Sequence, residues 1–182
     1  MNSILEKARS VRLLALDCDG VLTDGRLYYG NDGEELKAFS ILDGLGIKLL
    51  RASGVEVALI TGRRSEIVKR RARELGIDGL LLQGREDKLV ALQELLAKLG
   101  LPLSAVAYCG DDLPDLPAIR AVGFGVAPAN AHYVVREQAD WVTTLRGGEG
   151  AVREITDLIM QSQGTLQPAL AHYLVHNGGA AT

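Results

Sequence analysis

Between Val11 and Leu16 the chain reads Val-Arg-Leu-Leu-Ala-Leu, a largely apolar run that is too short for a helix and does not alternate. It predicts a strand buried on both faces, and such strands belong inside parallel sheets covered by helices on either side. The run breaks off into Asp17-Cys18-Asp19-Gly20-Val21-Leu22-Thr23-Asp24. Open parallel sheets bind ligands at the carboxyl ends of their strands. Two acids at such an end, with a glycine that lets backbone come close, suit a metal and a phosphate. Taken alone, the segment reads equally as a solvated Asp-x-Asp-Gly turn, so the rest of the chain decides.

The chain alternates strands with helices. Residues 1–10 form a short helix or arm. After the first strand, Arg26–Tyr29 and Glu34–Phe39 flank Gly30-Asn31-Asp32-Gly33. That tetrad is a turn signal and predicts an antiparallel β-hairpin, residues 26–39, projecting from the site. Asp43 is expected to N-cap a helix that runs to about Ser53 and stops at Gly54. Val55–Ile60 is the second core strand and ends at Thr61-Gly62-Arg63. A helix from Ser65 to Leu75 and a short strand, Gly79–Leu82, lead to Lys88 and a helix ended by Gly100. Ala105–Cys109 is a third core strand, closed by Gly110-Asp111-Asp112-Leu113-Pro114-Asp115. Further strands at Val122–Val126 and Ala139–Val142 surround a short helix near Ala131–Arg136. A last helix spans Gly150 to about Gln161. This rhythm predicts an α/β fold with a doubly wound, Rossmann-like parallel sheet. Residues 1–163 make one domain, and residues 164–182 a C-terminal tail that is disordered at least over 177–182.

Composition narrows the function. A chain of 182 residues that is 47% hydrophobic can bury a full core. A net charge of −3 with 4% aromatic residues speaks against nucleic-acid or anionic-membrane partners. No apolar run approaches a membrane span or a signal peptide, so a cytoplasmic protein is expected. Cys18 and Cys109 read as buried, reduced thiols. His132, His172 and His176 lack metal-ligand spacing and read as surface residues. Asp24 and Asp32 serve turns.

Three core strands end in chemically loaded residues: Asp17 with Asp19, Thr61, and the Asp111-Asp112-Asp115 group. Lys88 opens the helix after another strand. In a doubly wound sheet these places share one edge. Several carboxylates buried together are costly unless a cation compensates them. Such a set supports metal-assisted phosphoryl transfer through a carboxylate nucleophile. A hydroxyl and an ammonium would hold the transferring oxygens, Mg²⁺ would suit the hard oxygen ligands, and a second carboxyl would protonate the leaving alcohol.

Asp17-Cys18-Asp19-Gly20-Val21-Leu22-Thr23-Asp24, Thr61-Gly62-Arg63, Lys88 and Gly110-Asp111-Asp112 resemble, in order, the four signature motifs of the haloacid dehalogenase superfamily. The resemblance implies Asp17 as nucleophile and Asp19 as general acid and base. Thr61 and Lys88 fall at the phosphate-holding positions. Asp17, Asp111 and the backbone carbonyl of Asp19 would bind Mg²⁺, with Asp112 or Asp115 on a metal-bound water. The intervals from Asp19 to Thr61 and from Thr61 to Lys88 are filled by the elements above and leave no room for a cap domain. An open site encloses its leaving group poorly, so a macromolecular substrate or a neighbouring subunit is implied.

Gly30–Lys37, Asp43–Ile47 and Gly147–Glu154 further resemble the capless, tetrameric 3-deoxy-D-manno-octulosonate 8-phosphate phosphatases, with the likeness running from Leu13 to Gln163. That likeness implies a homotetramer acting on a small sugar phosphate in lipopolysaccharide synthesis, with Arg63, Arg71, Asp43 and Gly44 among the substrate-binding residues. Arginine offers a bidentate fork to phosphate and carboxylate alike. The competing expectations are a phosphatase of a nine-carbon, sialic-acid-like sugar phosphate, and a non-catalytic binding module of the same fold.

Overall fold

The computed structural model describes residues 2–31 and 35–174. Helix α1 (Asn2–Arg9) precedes strand β1 (Leu13–Leu16), and two short strands follow, β2 (Tyr28–Tyr29) and β3 (Glu35–Leu36). The chain continues through α2 (Ile41–Ala52), β4 (Glu56–Thr61), α3 (Glu66–Leu75), β5 (Leu81–Gln83) and α4 (Lys88–Leu99). It then passes through β6 (Val106–Cys109), α5 (Leu116–Ala121), β7 (Phe124–Ala127), α6 (Tyr133–Gln138) and β8 (Trp141–Val142), and ends in α7 (Ala151–Gln163) and α8 (Leu166–Leu174).

Six strands form one parallel sheet in the order β5-β4-β1-β6-β7-β8. From β1 the chain winds outward through β4 and β5, then crosses back to β6 on the other side. The order therefore reverses between β1 and β6, the kind of crevice where such sheets bind ligands. Leu16 of β1 lies opposite Leu59 of β4 and Cys109 of β6, so the three loaded strand ends emerge side by side. Alternate residues of β1 face opposite layers, as strand geometry requires. Leu14 and Leu16 pack with Ile47 of α2, Val68 of α3 and Ile155 of α7, whereas Leu13 and Ala15 pack with Leu92 of α4, Ile119 of α5 and Val135 of α6. The expected doubly wound α/β fold is present, and no cap domain interrupts it among the described residues.

The strands β2 and β3 pair antiparallel, Tyr28 with Leu36 and Tyr29 with Glu35, and form a two-stranded sheet separate from the main one among the described residues. The expected turn residues Asp32 and Gly33 lie outside the described residues, as do His176 and the segment 177–182.

One expectation is corrected. Ser40, not Asp43, caps α2: its hydroxyl accepts from the amides of Leu42 and Asp43 at 3.2 and 3.5 Å. Asp43 is buried, and its carboxylate accepts from the Arg153 amide at 2.8 Å. It thereby caps α7 from another helix, because Gly150 at that N-terminus has no side chain to offer. Gly164 ends α7 in the left-handed region (φ 73°), and α8 follows it within the C-terminal tail. Helix α8 is short, and among the described residues only its Leu166 and Ala169 rest against the core, so its apolar periodicity is faint. Pro168 falls in its first turn, where no helical amide is needed.

No helix is long and apolar enough to cross a membrane among the described residues.

Helices α2 and α7 approach closely at Gly46, where an added Cβ would meet the Thr156 hydroxyl and sit 2.9 Å from Arg153 Cδ and 3.3 Å from Arg153 Cα. Gly46→Val should therefore lower the unfolding free energy by about 2 kcal/mol or more through overpacking. Urea denaturation checks this, and an unchanged midpoint would show that the two helices tolerate a wider spacing.

Candidate active site

The site starts where β1 ends. The Asp17 amide still bonds the Cys109 carbonyl of β6 at 2.9 Å, and the chain then turns tightly as the Cys18 carbonyl accepts from the amides of Leu22 and Thr23 at 2.9 and 3.1 Å. The Thr23 hydroxyl pins the turn by accepting from the amides of Gly20 and Gly25 at 3.3 and 3.2 Å. Gly20 is required on two counts: its φ is +87°, and a Cβ there would collide with the Asp111 carboxylate. Asp24 accepts from the Arg26 amide and the Tyr28 hydroxyl at 3.0 and 3.2 Å, the turn role expected of it.

A cleft of about 420 Å³ opens above these strand ends. Asp17, Asp19, Thr61, Arg63, Lys88 and Asp111 all line it, joined by Glu86, Asp112 and Asp115. Lys88 is the link between the walls. Its side chain, 5% exposed, reaches back from α4, and its ammonium donates to Asp17 Oδ1 at 2.5 Å and to the Ile60 carbonyl at 2.8 Å, with Asp115 Oδ1 at 3.5 Å.

Asp115 is almost fully enclosed. Its Oδ1 accepts from the Tyr108 hydroxyl at 2.8 Å, and its Oδ2 accepts from the amides of Asp111 and Asp112 at 3.1 and 3.3 Å. It thus fixes Lys88 and shapes the loop that presents Asp111. Asp112 points outward and caps the following turn by accepting from the Leu113 amide at 2.8 Å. Sequence spacing alone had left these two acids undistinguished.

Burial and like charge move the protons of the site. Burial, then the charge of Asp115, pushes Asp17 from 3.8 up to about 6 against the pull of Lys88. Burial, then the charges of Asp17, Asp115 and Asp112, pushes Asp111 from 3.8 up to about 7. Burial works to lower Lys88, but Asp17 and Asp115 outweigh it and hold the ammonium above its ordinary value.

Comparison with known proteins fits this geometry. Residues 79–155 match a family of haloacid dehalogenase-like hydrolases. The 3-deoxy-D-manno-octulosonate 8-phosphate phosphatase KdsC of Escherichia coli K12 is 50% identical over 166 residues, spanning 91% of this chain and 88% of that protein. The chain belongs to this phosphatase family. Its Yersinia pestis member is 49% identical over 92% of this chain and 89% of that protein. Among solved structures, a probable YrbI family phosphatase from Pseudomonas syringae superposes with a TM-score of 0.95 at 54% identity, covering 97% of this chain and 99% of that one. The phosphatase from Moraxella catarrhalis, described in complex with magnesium, phosphate and KDO, superposes with a TM-score of 0.93 at 48% identity, covering 95% of this chain and 99% of that one.

The family's site geometry suits a hard cation. Carboxylate oxygens of Asp17, Asp111 and Asp115 lie within 4.8 Å of one another. Asp115 spends its oxygens on internal donors, and no ion pair among the described residues reaches Asp111. Asp17 and Asp111 therefore keep lone pairs facing a common point, an arrangement that an oxygen-loving dication relieves.

Three expected substrate contacts lie elsewhere. Arg71 stacks over Phe39, 5.7 Å from the ring centroid, and donates to the Ser40 carbonyl at 3.2 Å and to Glu74 at 3.3 Å. Gly44 is where this guanidinium approaches α2, and Asp43 caps α7. None of the three lines the cleft. Conversely, Tyr29 in β2 and Lys37 just after β3 touch site residues without having been singled out in the sequence. Arg63 donates to the Tyr29 hydroxyl at 2.9 Å, and Lys37 pairs with Asp19. Only the position of both within the expected hairpin, next to the first motif, hinted at them.

The raised values of Asp17 and Asp111 set a pH dependence. In the metal-free fold these carboxyls keep protons that the unfolded chain has already lost, so the stability they allow is full below about pH 4 and is lost as pH rises towards 7. Mg²⁺ competes with those protons, so it should raise the melting temperature more at pH 8 than at pH 5.5. Asp111→Asn should melt several degrees higher than the metal-free parent at pH 8 and gain little from Mg²⁺. Scanning calorimetry with Mg²⁺ and with chelator reads both effects, and a metal response in Asp111→Asn equal to the parent's would remove Asp111 from the metal site.

Proposed function

We infer that the chain is an Mg²⁺-dependent phosphatase that hydrolyses 3-deoxy-D-manno-octulosonate 8-phosphate to 3-deoxy-D-manno-octulosonate and phosphate, a step that supplies lipopolysaccharide synthesis. The observation that carries this is the buried Asp17–Lys88–Asp115 chain facing Asp111, on a chain half identical to KdsC.

In this reading the free oxygen of Asp17 attacks phosphorus while Lys88 holds its neighbour. Lys88 fixes the orientation of the nucleophile and supplies positive charge beside the transferring oxygens. Asp17, Asp111 and the backbone carbonyl of Asp19 would hold Mg²⁺, whose charge shields the attacking carboxylate from the phosphate. The phosphorus–oxygen bond to the sugar breaks as Asp19 gives its proton to the leaving alkoxide. Water then attacks the aspartyl-phosphate and passes a proton to Asp19, which releases phosphate and restores both acids. Thr61, buried at the end of β4, donates its hydroxyl to the phosphate. Arg63, on the rim, meets the sugar's carboxylate or its phosphate. Arg71, Asp43 and Gly44 support the wall from which the hairpin rises.

The open cleft is closed by a second copy of the chain, in a homotetramer. Supporting this is an apolar surface that a lone protomer would leave in water: Leu27, Tyr28, Tyr29, Leu36, Ile41 and Leu42 are all exposed, Ile41 by 83%.

Phosphate release from a panel of eight- and nine-carbon ulosonate phosphates tests the reading. Release should need Mg²⁺, favour the eight-carbon ester, and fall about a thousandfold or more in Asp17→Asn. Turnover that survives chelator or Asp17→Asn would overturn the mechanism, and a preference for the nine-carbon ester would overturn the substrate. Light scattering that finds only monomer in the active preparation would overturn the tetramer.

A further inference from the structure

Lys37 follows β3, and its side chain is 1% exposed although it carries a charge. A buried ammonium is tolerated only where a partner repays its lost hydration. One partner is Asp19, whose Oδ1 accepts from the Lys37 ammonium. The other oxygen, Oδ2, has Arg63 Nε at 3.9 Å, and Asp19 and Arg63 both line the cleft whereas Lys37 does not. Lys37 thus stands behind the carboxylate and Arg63 stands on the cleft side.

We propose that Lys37 is a positioning residue for the proton transfer: by occupying Oδ1, it turns Oδ2 of Asp19 into the cleft as the atom that hands its proton to the leaving sugar oxygen. The inference rests on the reading of Asp19 as general acid. It makes the hairpin part of the catalytic apparatus rather than only a wall, because a carboxylate free to rotate would present either oxygen, or neither, to the leaving group. Pre-set geometry of this kind decides how much of a general acid's contribution is realised.

A lysine that merely anchored the hairpin would affect every substrate alike. A positioning lysine affects only those whose leaving group needs a proton. The test therefore compares kcat/KM, with Mg²⁺ present, for 3-deoxy-D-manno-octulosonate 8-phosphate and for p-nitrophenyl phosphate. The first leaves as an alkoxide that must be protonated, and the second as a stable phenolate. The ratio kcat/KM reports the steps through cleavage of the ester bond.

Asp19→Asn should lose about 100-fold or more on the sugar ester and less than about tenfold on the nitrophenyl ester. Lys37→Met should lose about 10- to 50-fold on the sugar ester and stay within about threefold on the other. Lys37→Arg, which restores charge and reach, should recover most of the loss. Circular dichroism and melting accompany each variant, and Lys37→Gln replaces Lys37→Met if the latter does not fold. Equal losses on both esters, or a sugar-ester rate like the parent's, would overturn the proposal. A selective loss in Asp19→Asn without one in Lys37→Met or Lys37→Gln would overturn it while leaving Asp19 as the acid. Equal losses in Asp19→Asn would overturn both.

Discussion

A single ammonium, that of Lys88, sits at the centre of the charge balance. It lies beneath the cleft between carboxylates from two different strand ends, and it also takes a backbone carbonyl from a third strand. Without it, Asp17 and Asp115 would face each other unscreened in a poorly solvated space, the situation that makes removal of one partner of a buried pair so damaging. With it, the ends of β1 and β4 and the loop after β6 are tied to the first turn of α4. The sheet supplies the placement, and the lysine makes that placement affordable.

The arrangement also divides labour among four acids of the same type. Asp115 is consumed by internal donors and acts as scaffold. Asp111 has no ion pair among the described residues, and burial and neighbouring carboxylates raise its pKa, the state that invites a metal. Asp17 is half satisfied by Lys88, which leaves one oxygen for chemistry. Asp19 stands on the hairpin side of the cleft, between Lys37 and Arg63. Environment, rather than residue identity, assigns these roles.

Much of this was legible in the sequence because it is local. Apolar strands followed at once by Asp17, Thr61 and Asp111, and glycines that end helices, are read from short windows, and the sheet follows from their alternation. Lys88 was legible as well, since its place at a helix start after a strand puts it on the same edge. What could not be read depends on pairings between distant segments. Nothing near Asp43 announces that it will cap a helix whose first turn is at Ala151. Arg71 is an arginine on an amphipathic helix, and only the fold shows its charge resting on Phe39. Asp112 and Asp115 are near neighbours in one loop, and only the geometry turns one outward and locks the other in. The weak pattern of α8 concealed a helix because so little of it is buried.

Among the described residues, β2 and β3 pair with each other and with no strand of the main sheet. Asp17 and Thr61 stand at strand ends of the six-stranded sheet, while Tyr29 and Lys37 reach the cleft residues from a separate two-stranded ribbon. A substitution at Tyr29 or Lys37 is therefore felt at Arg63 or Asp19 directly, without passing through the register of the six-stranded sheet.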